Sequence, residues 1–446
     1  MHNRKQRTLT LVLILLILIF LGSLGWFLVD RYVDRSGWYQ EEDGSYYYRD
    51  FHWRKVTGWQ KIDGFYYYFG DDSRMRTGWL EWEDGRYRLG SDGALDFGWM
   101  EVEGQWYHGG GDGALLTGWQ ILSDNRYFFQ EDGAMQTGWM EREEKQYHFG
   151  EDGIQTIGFY QEAGTTWFFG DDGAMATGEQ IINGQIYFFH PDGAMQTGWL
   201  DTEDGRKYFL AEGPMVLGWH TIEGRHYYFG ETGISQTGWF QEGEYHYYLQ
   251  EDGSAAVGPL EIDGQPHFFT PAGIHVVLVN GNYKVPEYYK TDLVEIEKWQ
   301  QVSSVCYDAL VQMMDDCVAA GNKLTFNSGY RSIAAQQEIL ELRTSEHMEE
   351  YGIDYNKAYQ KARKTVALPG HSEHHLGLAV DLVGKDAQVW LAEHCWEYGF
   401  ILRYTQDKEA ITGIVDEPWH FRYVGTKVSL DMKDSGLCLE EYLGAA

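Results

Sequence analysis

The chain has 446 residues, a formal net charge of −33 and 16% aromatic residues. That length exceeds one ordinary domain, and the aromatic content excludes a disordered acidic chain. The charge argues against nucleic acid or an anionic membrane surface as partner.

Arg4, Lys5 and Arg7 precede residues 8–29, a run without a charged side chain. At ~1.5 Å per residue such a helix spans a ~30 Å hydrocarbon core. The basic residues keep the N-terminus cytoplasmic. Residues 1–7 are therefore expected inside the cell, 8–29 as a single-pass transmembrane anchor, 30–35 as a short linker, and the rest outside. A cleaved signal peptide has a shorter apolar core, ~7–15 residues, and an A-x-A site that is missing here. Export permits disulfides among Cys306, Cys317, Cys395 and Cys438. Cys306 and Cys317 share a helical pattern but stand ~16 Å apart along its axis, too far to bridge each other. No C-x-x-C occurs, so a thiolate zinc site is not expected.

From residue 36 a motif returns. After SGW at 36–38 and TGW at 57–59, a glycine recurs every 20 residues from Gly58 through Gly78, Gly98 and Gly118 to Gly258. A fixed period of this kind marks a repeat array. A typical unit holds a Gly-Trp, a turn, an aromatic strand such as YYYF and an acidic turn such as EDGAMQ. Two short strands around such turns read as a hairpin. A lone hairpin buries too little, so the units are expected to stack into a β-hairpin solenoid over 36–270. Rings shared between neighbouring hairpins on an acidic scaffold suit a quaternary ammonium by cation–π attraction, or a sugar by stacking.

This tract resembles the choline-binding, or cell-wall-binding, repeats of Gram-positive surface proteins. The resemblance implies ligand seats between consecutive units, formed by Trp59, Tyr66, Trp79, Trp99, Trp106, Trp119, Trp139, Trp199, Trp219 and Trp239. Choline-bearing teichoic acid or a wall glycan would be the partner. Phe159, Glu179 and Pro259 replace the Gly-Trp tryptophan in three units, which are expected only to space the array.

The 20-residue beat stops after residue 270. Residues 271–289 read as a linker, and 290–446 as an α+β domain. Leu293, Val294, Ile296, Trp299, Val302, Val305, Leu310, Met313 and Met314 predict an amphipathic helical region ended by Gly321. A short strand is expected at 324–326, helix over 333–366, and another helix at about 386–398. Residues 369–381 read PGHSEHHLGLAVD and 417–425 read EPWHFRYVG. Together they offer imidazoles and carboxylates enough for an open zinc site of three ligands and a water whose pKa falls to about 7. The residues alone leave open which of His371, His374 and His375 would bind.

The order SGYRS (328–332), PGHSEHHLGLAVD and EPWHFRYVG resembles the VanY-type D-alanyl-D-alanine carboxypeptidases, zinc peptidases acting on peptidoglycan, over about residues 275–446. The resemblance implies Zn2+ held by His374, Asp381 and His420, with Glu417 as the general base. Arg331 would stabilise the oxyanion or grip substrate, and Ser372, Gln336 and Tyr330 would hold the stem peptide. His371, His375 and His394 are expected outside the ligand set. Gly377 supplies the bend between His374 and Asp381, which a straight strand would set ~23 Å apart. S-x-x-K and H-E-x-x-H are absent, which removes the serine-acylating and zincin routes. The expectation is an extracellular, membrane-anchored, wall-associated D,D-carboxypeptidase. Its rivals are an L,D-carboxypeptidase acting on tetrapeptide stems and a non-catalytic wall-binding or adhesion protein.

Overall fold

The computed structural model describes residues 13–21, 36–83 and 85–446. No helix among them is long and apolar enough to cross a membrane. Residues 13–21 are helical, and the remainder of the anchor expected over 8–29 lies outside the described residues. The chain divides into two compact units, Met1–Gln180 with Phe188–Met195, and Ile181–Tyr187 with Gln196–Ala446.

The first unit is built of the expected hairpins. In one, Gly58–Ile62 pairs antiparallel with Phe65–Phe69, setting Trp59 opposite Tyr68. Asp63 and Gly64 form the turn with φ of 50° and 93°, the mirror-image turn that matches strand twist. From the second hairpin onward the second strand ends on a residue removed from solvent: Phe69, Leu89, Phe129, Phe149 and Phe169 are at most 1% exposed. The acidic turns have a structural cause. Asp92, Asp112, Asp132, Asp152 and Asp172 each accept, through Oδ1, a hydrogen bond from the amide two residues on. The side chain thus closes the turn, as Asp does well. Successive hairpins are tied by backbone bonds at a constant offset, Leu95 N to Tyr66 O and Met135 N to Trp106 O, both 2.8 Å. The glycine after each turn aspartate permits this stacking. At Gly193, where φ is +78°, a Cβ would lie 2.2 Å from Met175 Sδ of the preceding repeat.

In the second unit the hairpins Gly218–Ile222/Arg225–Phe229, Gly238–Glu242/Tyr245–Leu249 and Gly258–Ile262/Gln265–Phe269 precede the α+β domain. Their packing merges with it. Tyr247, Phe268, Ile274, Val276 and Leu278 share one buried cluster with Ile401, Val428, Met432, Leu439 and Leu443. Tyr423 donates its hydroxyl to Glu244 at 2.8 Å. Pro259, at the Gly-Trp position of the last hairpin, sits beside Gly444, where a Cβ would lie 3.6 Å from its Cδ.

The α+β domain is a four-stranded antiparallel sheet in the order Thr325–Ser328, Ala379–Val383, His420–Tyr423, Phe400–Leu402. Helix Ser304–Ala319 contributes its Cys306, Leu310, Met313 and Cys317 face to the core, against Val380, Leu382 and Phe421. All four cysteines are buried and free. The helical region expected from residue 293 begins only at Ser304. Leu293–Glu297 and Gln300–Ser303 instead form a hairpin, with Trp299 exposed at its turn at φ 69°. Val294, Ile296 and Val302 are β-branched and favour strand, and Ser303 caps the helix only after the hairpin. The helical stretch expected over 333–366 is two helices, Ile333–Tyr351 and Tyr355–Ala362, broken at Gly352, whose φ is 63°. The helix expected at 386–398 is Ala387–His394 continued by a 3-10 turn, Cys395–Tyr398.

Candidate metal centre and active site

The sheet register creates the site. Asp381 and His420 are directly paired across neighbouring strands, so their side chains emerge together on one face. His374 arrives by another route. It lies in the 3-10 turn Glu373–Leu376, whose end at Gly377 (φ 68°) reverses the chain into the Asp381 strand. A Cβ at Gly377 would lie 2.9 Å from Ser303 N, so conformation and close approach both require glycine there. One donor atom each from buried His374, Asp381 and His420 fall within 4.8 Å of one another.

His374 Nδ1 lies 2.7 Å from Gly329 O, which turns Nε2 toward Asp381 Oδ2 at 3.4 Å. His420 Nδ1 faces Asp381 Oδ1 at 3.2 Å and Glu417 Oε2 at 3.7 Å. Asp381 Oδ1 and His420 Nε2 are buried without a hydrogen-bond partner. Burial pushes His374 down, toward the neutral form that ligates. Burial would do the same to His420, but Asp381 and Glu373 outweigh it and raise it to about 9. Burial also works to raise Asp381, yet His374 and His420 hold it well below the usual carboxylate range. Two imidazoles, one carboxylate and a local preference for positive charge fit an open zinc site.

A cleft of about 210 Å³ opens on this cluster, lined among others by Arg331, Gln336, Ser372, Glu417 and Trp419. Burial pushes the Glu417 carboxyl up to about 7. Arg331 Nη2 donates to Asp381 Oδ2 at 2.7 Å, its Nη1 to Gln336 Oε1 at 3.3 Å and its Nε to Ser328 Oγ at 3.0 Å. Gln336 is itself anchored on Ala367 O at 2.8 Å. Ser372 caps the 3-10 turn, accepting from His374 N. Tyr330 is not among the residues lining the cleft; its amide donates to Gln301 O. The remaining histidines serve elsewhere. His375 Nδ1 lies 2.7 Å from Arg331 O, His371 Nδ1 2.8 Å from Asn280 O, and His394 Nδ1 3.1 Å from Glu397 Oε1.

The sequence did not single out the layer beneath the cluster. Glu373, Arg403, Arg422 and Glu440 form a fully buried ion-pair chain. Tyr404 closes the cleft, its ring 4.9 Å from that of His420. The available signal was a carboxylate immediately before a candidate ligand histidine, and an arginine two residues after another.

From Trp59 onward each Gly-Trp ring meets the ring 28 residues later, on the next hairpin; Trp38 meets Tyr67, 29 residues later, at 4.8 Å. Centroids are 5.2 Å apart for Trp59–Tyr87, 4.8 Å for Trp79–Tyr107, 5.1 Å for Trp99–Tyr127, 5.2 Å for Trp119–Tyr147 and 5.3 Å for Trp139–Trp167. In the second unit they are 5.1 Å for Trp199–Tyr227, 4.6 Å for Trp219–Tyr247 and 5.2 Å for Trp239–His267. A third ring joins at Trp82, Trp106, Tyr160 and Phe240. Tyr66 instead packs near Phe97, at 6.3 Å. Three of these tryptophans already carry a cation of this chain: Arg86 lies 4.3 Å over Trp79, Arg206 4.1 Å over Trp199 and Arg126 6.0 Å over Trp119.

Comparison with known proteins gives matches to both parts. The D-alanyl-D-alanine carboxypeptidase family VanY matches residues 300–426. The choline-binding repeat matches 56–93, 116–153, 176–216 and 216–258, and a cell wall binding repeat matches 157–175. A D-alanyl-D-alanine carboxypeptidase of Enterococcus faecalis is 37% identical over 175 residues, 38% of this chain and 65% of its own. Against the curated relatives it matches, the chain spans 57–66% of their length. A crystal structure of a vancomycin-resistance D,D-pentapeptidase VanY with Zn(II) is 37% identical, covering 37% of this chain and 97% of that one, with a TM-score of 0.36. CbpJ from Streptococcus pneumoniae is 25% identical, covering 54% of this chain and all of that one, with a TM-score of 0.42. In its C-terminal domain the chain belongs to the VanY D-alanyl-D-alanine carboxypeptidase family, and choline-binding repeats precede that domain.

Proposed function

We propose that this chain is a zinc-dependent D-alanyl-D-alanine carboxypeptidase that removes the terminal D-alanine from peptidoglycan stem peptides. The repeats would dock it on choline-bearing teichoic acid or wall glycan, and residues 8–29 would anchor it in the cell membrane with its C-terminus outside. One observation carries this reading: donor atoms of His374, Asp381 and His420 converge within 4.8 Å in a cleft that also holds Glu417 and Arg331.

Zinc bound there supplies Lewis acidity and brings a water to a pKa near 7. Glu417 takes the water's proton; its carboxyl, raised to about 7 by burial, is matched to that task. It then returns the proton to the departing amine of D-alanine. Arg331, half-buried at the cleft wall, offers guanidinium N–H groups to the carbonyl oxygen as negative charge develops on it. Ser372 and Gln336 border the same cleft and bind the end of the peptide. Docking on several repeat seats raises the local substrate concentration without new contacts at the cleft.

The test is to incubate the purified chain with defined pentapeptide and tetrapeptide muropeptides, with and without chelator, and weigh the products. Loss of only the fifth residue, stopped by chelator and restored by zinc, is the expected result. Loss of the fourth residue would make the protein an L,D-carboxypeptidase. Zinc retention without release from either substrate would make it a wall-binding protein.

A further inference from the structure

Glu373 lies between Ser372 and His374, and its side chain is fully buried. Its two oxygens have different partners. Oε1 accepts from Arg403 Nε at 3.0 Å and from Arg422 Nη1 at 3.1 Å. Oε2 has no hydrogen-bond partner and faces His420 Nε2 at 3.6 Å; that nitrogen is also buried and without a partner. Both arginines are held in turn. Arg403 grips Glu440 through two nitrogens, at 2.9 and 2.6 Å. Arg422 donates to Val277 O at 2.8 Å and Tyr423 O at 3.0 Å. The carboxylate is thus fixed in orientation, with one oxygen left over and directed at the imidazole.

A neutral imidazole carries a single N–H, and its other nitrogen offers the lone pair. His420 turns Nδ1 toward Asp381 and Nε2 toward Glu373. If Nδ1 is to ligate, the proton must reside on Nε2, and Glu373 Oε2 is the acceptor facing it. A carboxylate serving only as a buried ion-pair partner would place both oxygens on the arginines. We infer that Glu373 is a positioning residue for the metal centre: it accepts the Nε2–H of His420, fixing the tautomer and ring orientation that present Nδ1 to zinc. The inference rests on reading His374, Asp381 and His420 as the zinc ligands. Carboxylate partners of this kind are worth ~10–100-fold in metal affinity.

Two measurements test it. In zinc-loaded protein labelled with 15N-histidine, the His420 signals are assigned by their loss in His420→Gln. Nδ1 should show the metal-bound shift, and Nε2–H should exchange slowly. Metal on Nε2, or an Nε2–H exchanging as fast as in free imidazole, overturns the inference. Second, Glu373→Gln should weaken zinc ~10–100-fold in competition with a chromophoric chelator and alter the visible spectrum of the Co(II)-substituted protein. A variant folded by circular dichroism that keeps wild-type affinity and spectrum overturns it. Should the variant fail to fold, the labelled wild-type protein decides. Wild-type protein that binds no zinc, or His420→Gln that binds it undiminished, would instead sink the reading of the metal centre itself.

Discussion

Glu417 is a half-buried carboxylate and Glu440 a buried one, and their surroundings drive them apart. Glu417 has Arg331 near but is dominated by burial, which lifts it to about 7. Glu417→Gln keeps size and loses basicity. It is expected to lower D-alanine release by roughly 10²–10⁴-fold while metal analysis still finds one zinc per chain. Burial also works to raise Glu440, but the charge and hydrogen bonds of Arg403 outweigh it and hold it below its usual 4.5. A carboxyl lowered by folding stabilises the protein above the unfolded value and loses that contribution as pH falls through the folded one. Glu440→Gln leaves Glu373 as the one carboxylate against buried Arg403 and Arg422, an excess positive charge that should cost about 3–5 kcal/mol. Urea unfolding at pH 7 measures that loss, and the gap to wild type should narrow below pH ~4.5. His374, Asp381, His420 and Glu417 were legible because three short motifs carry them in order. Arg403, Arg422 and Glu440 were not. A charged side chain reads as surface until the fold brings partners from 30 or more positions away, as Arg403 meets Glu373 and Glu440.

At the scale of the element, the hairpin period was legible because each unit repeats the same chemistry: a turn glycine, an Asx-closed loop and a buried aromatic. The hairpin at 293–303 was not, since its apolar residues also fit a helix and only the turn at Trp299 decides. Nor could the sequence distinguish a Trp face open to ligand from one already covered. The guanidinium of Arg206, seven residues after Trp199, lies on that ring at 4.1 Å, where an external cation would bind. Arg206→Ala is expected to free the Trp199–Tyr227 seat. Titration with choline, followed by tryptophan fluorescence and equilibrium dialysis, should then find one more bound ligand per chain than in wild type. An unchanged stoichiometry would mean that this seat does not take the ligand.

For the molecule as a whole, the hairpins nearest the α+β domain share its core. Tyr247 and Phe268 lie in the same core as Leu439 and Leu443, and Val277 O and Asn280 bind Arg422 and Glu440 behind the metal cluster. A fragment of residues 290–446 would expose that apolar surface and lose those hydrogen bonds. It is expected to melt at markedly lower temperature than a fragment of residues 196–446, or to aggregate on expression. Equal melting temperatures in differential scanning calorimetry would contradict this.

The 28-residue spacing between partnered rings, constant from Trp59 onward, bears on how such a gene can change. Duplicating or deleting one 20-residue unit well before the α+β domain keeps the register in which rings and backbone ties meet their new neighbours. An insertion of ten residues breaks both. The geometry therefore leaves the upstream copy number free to change. The stretch from about residue 238 onward is not, because any slip there would pull on the residues that brace His374 and His420.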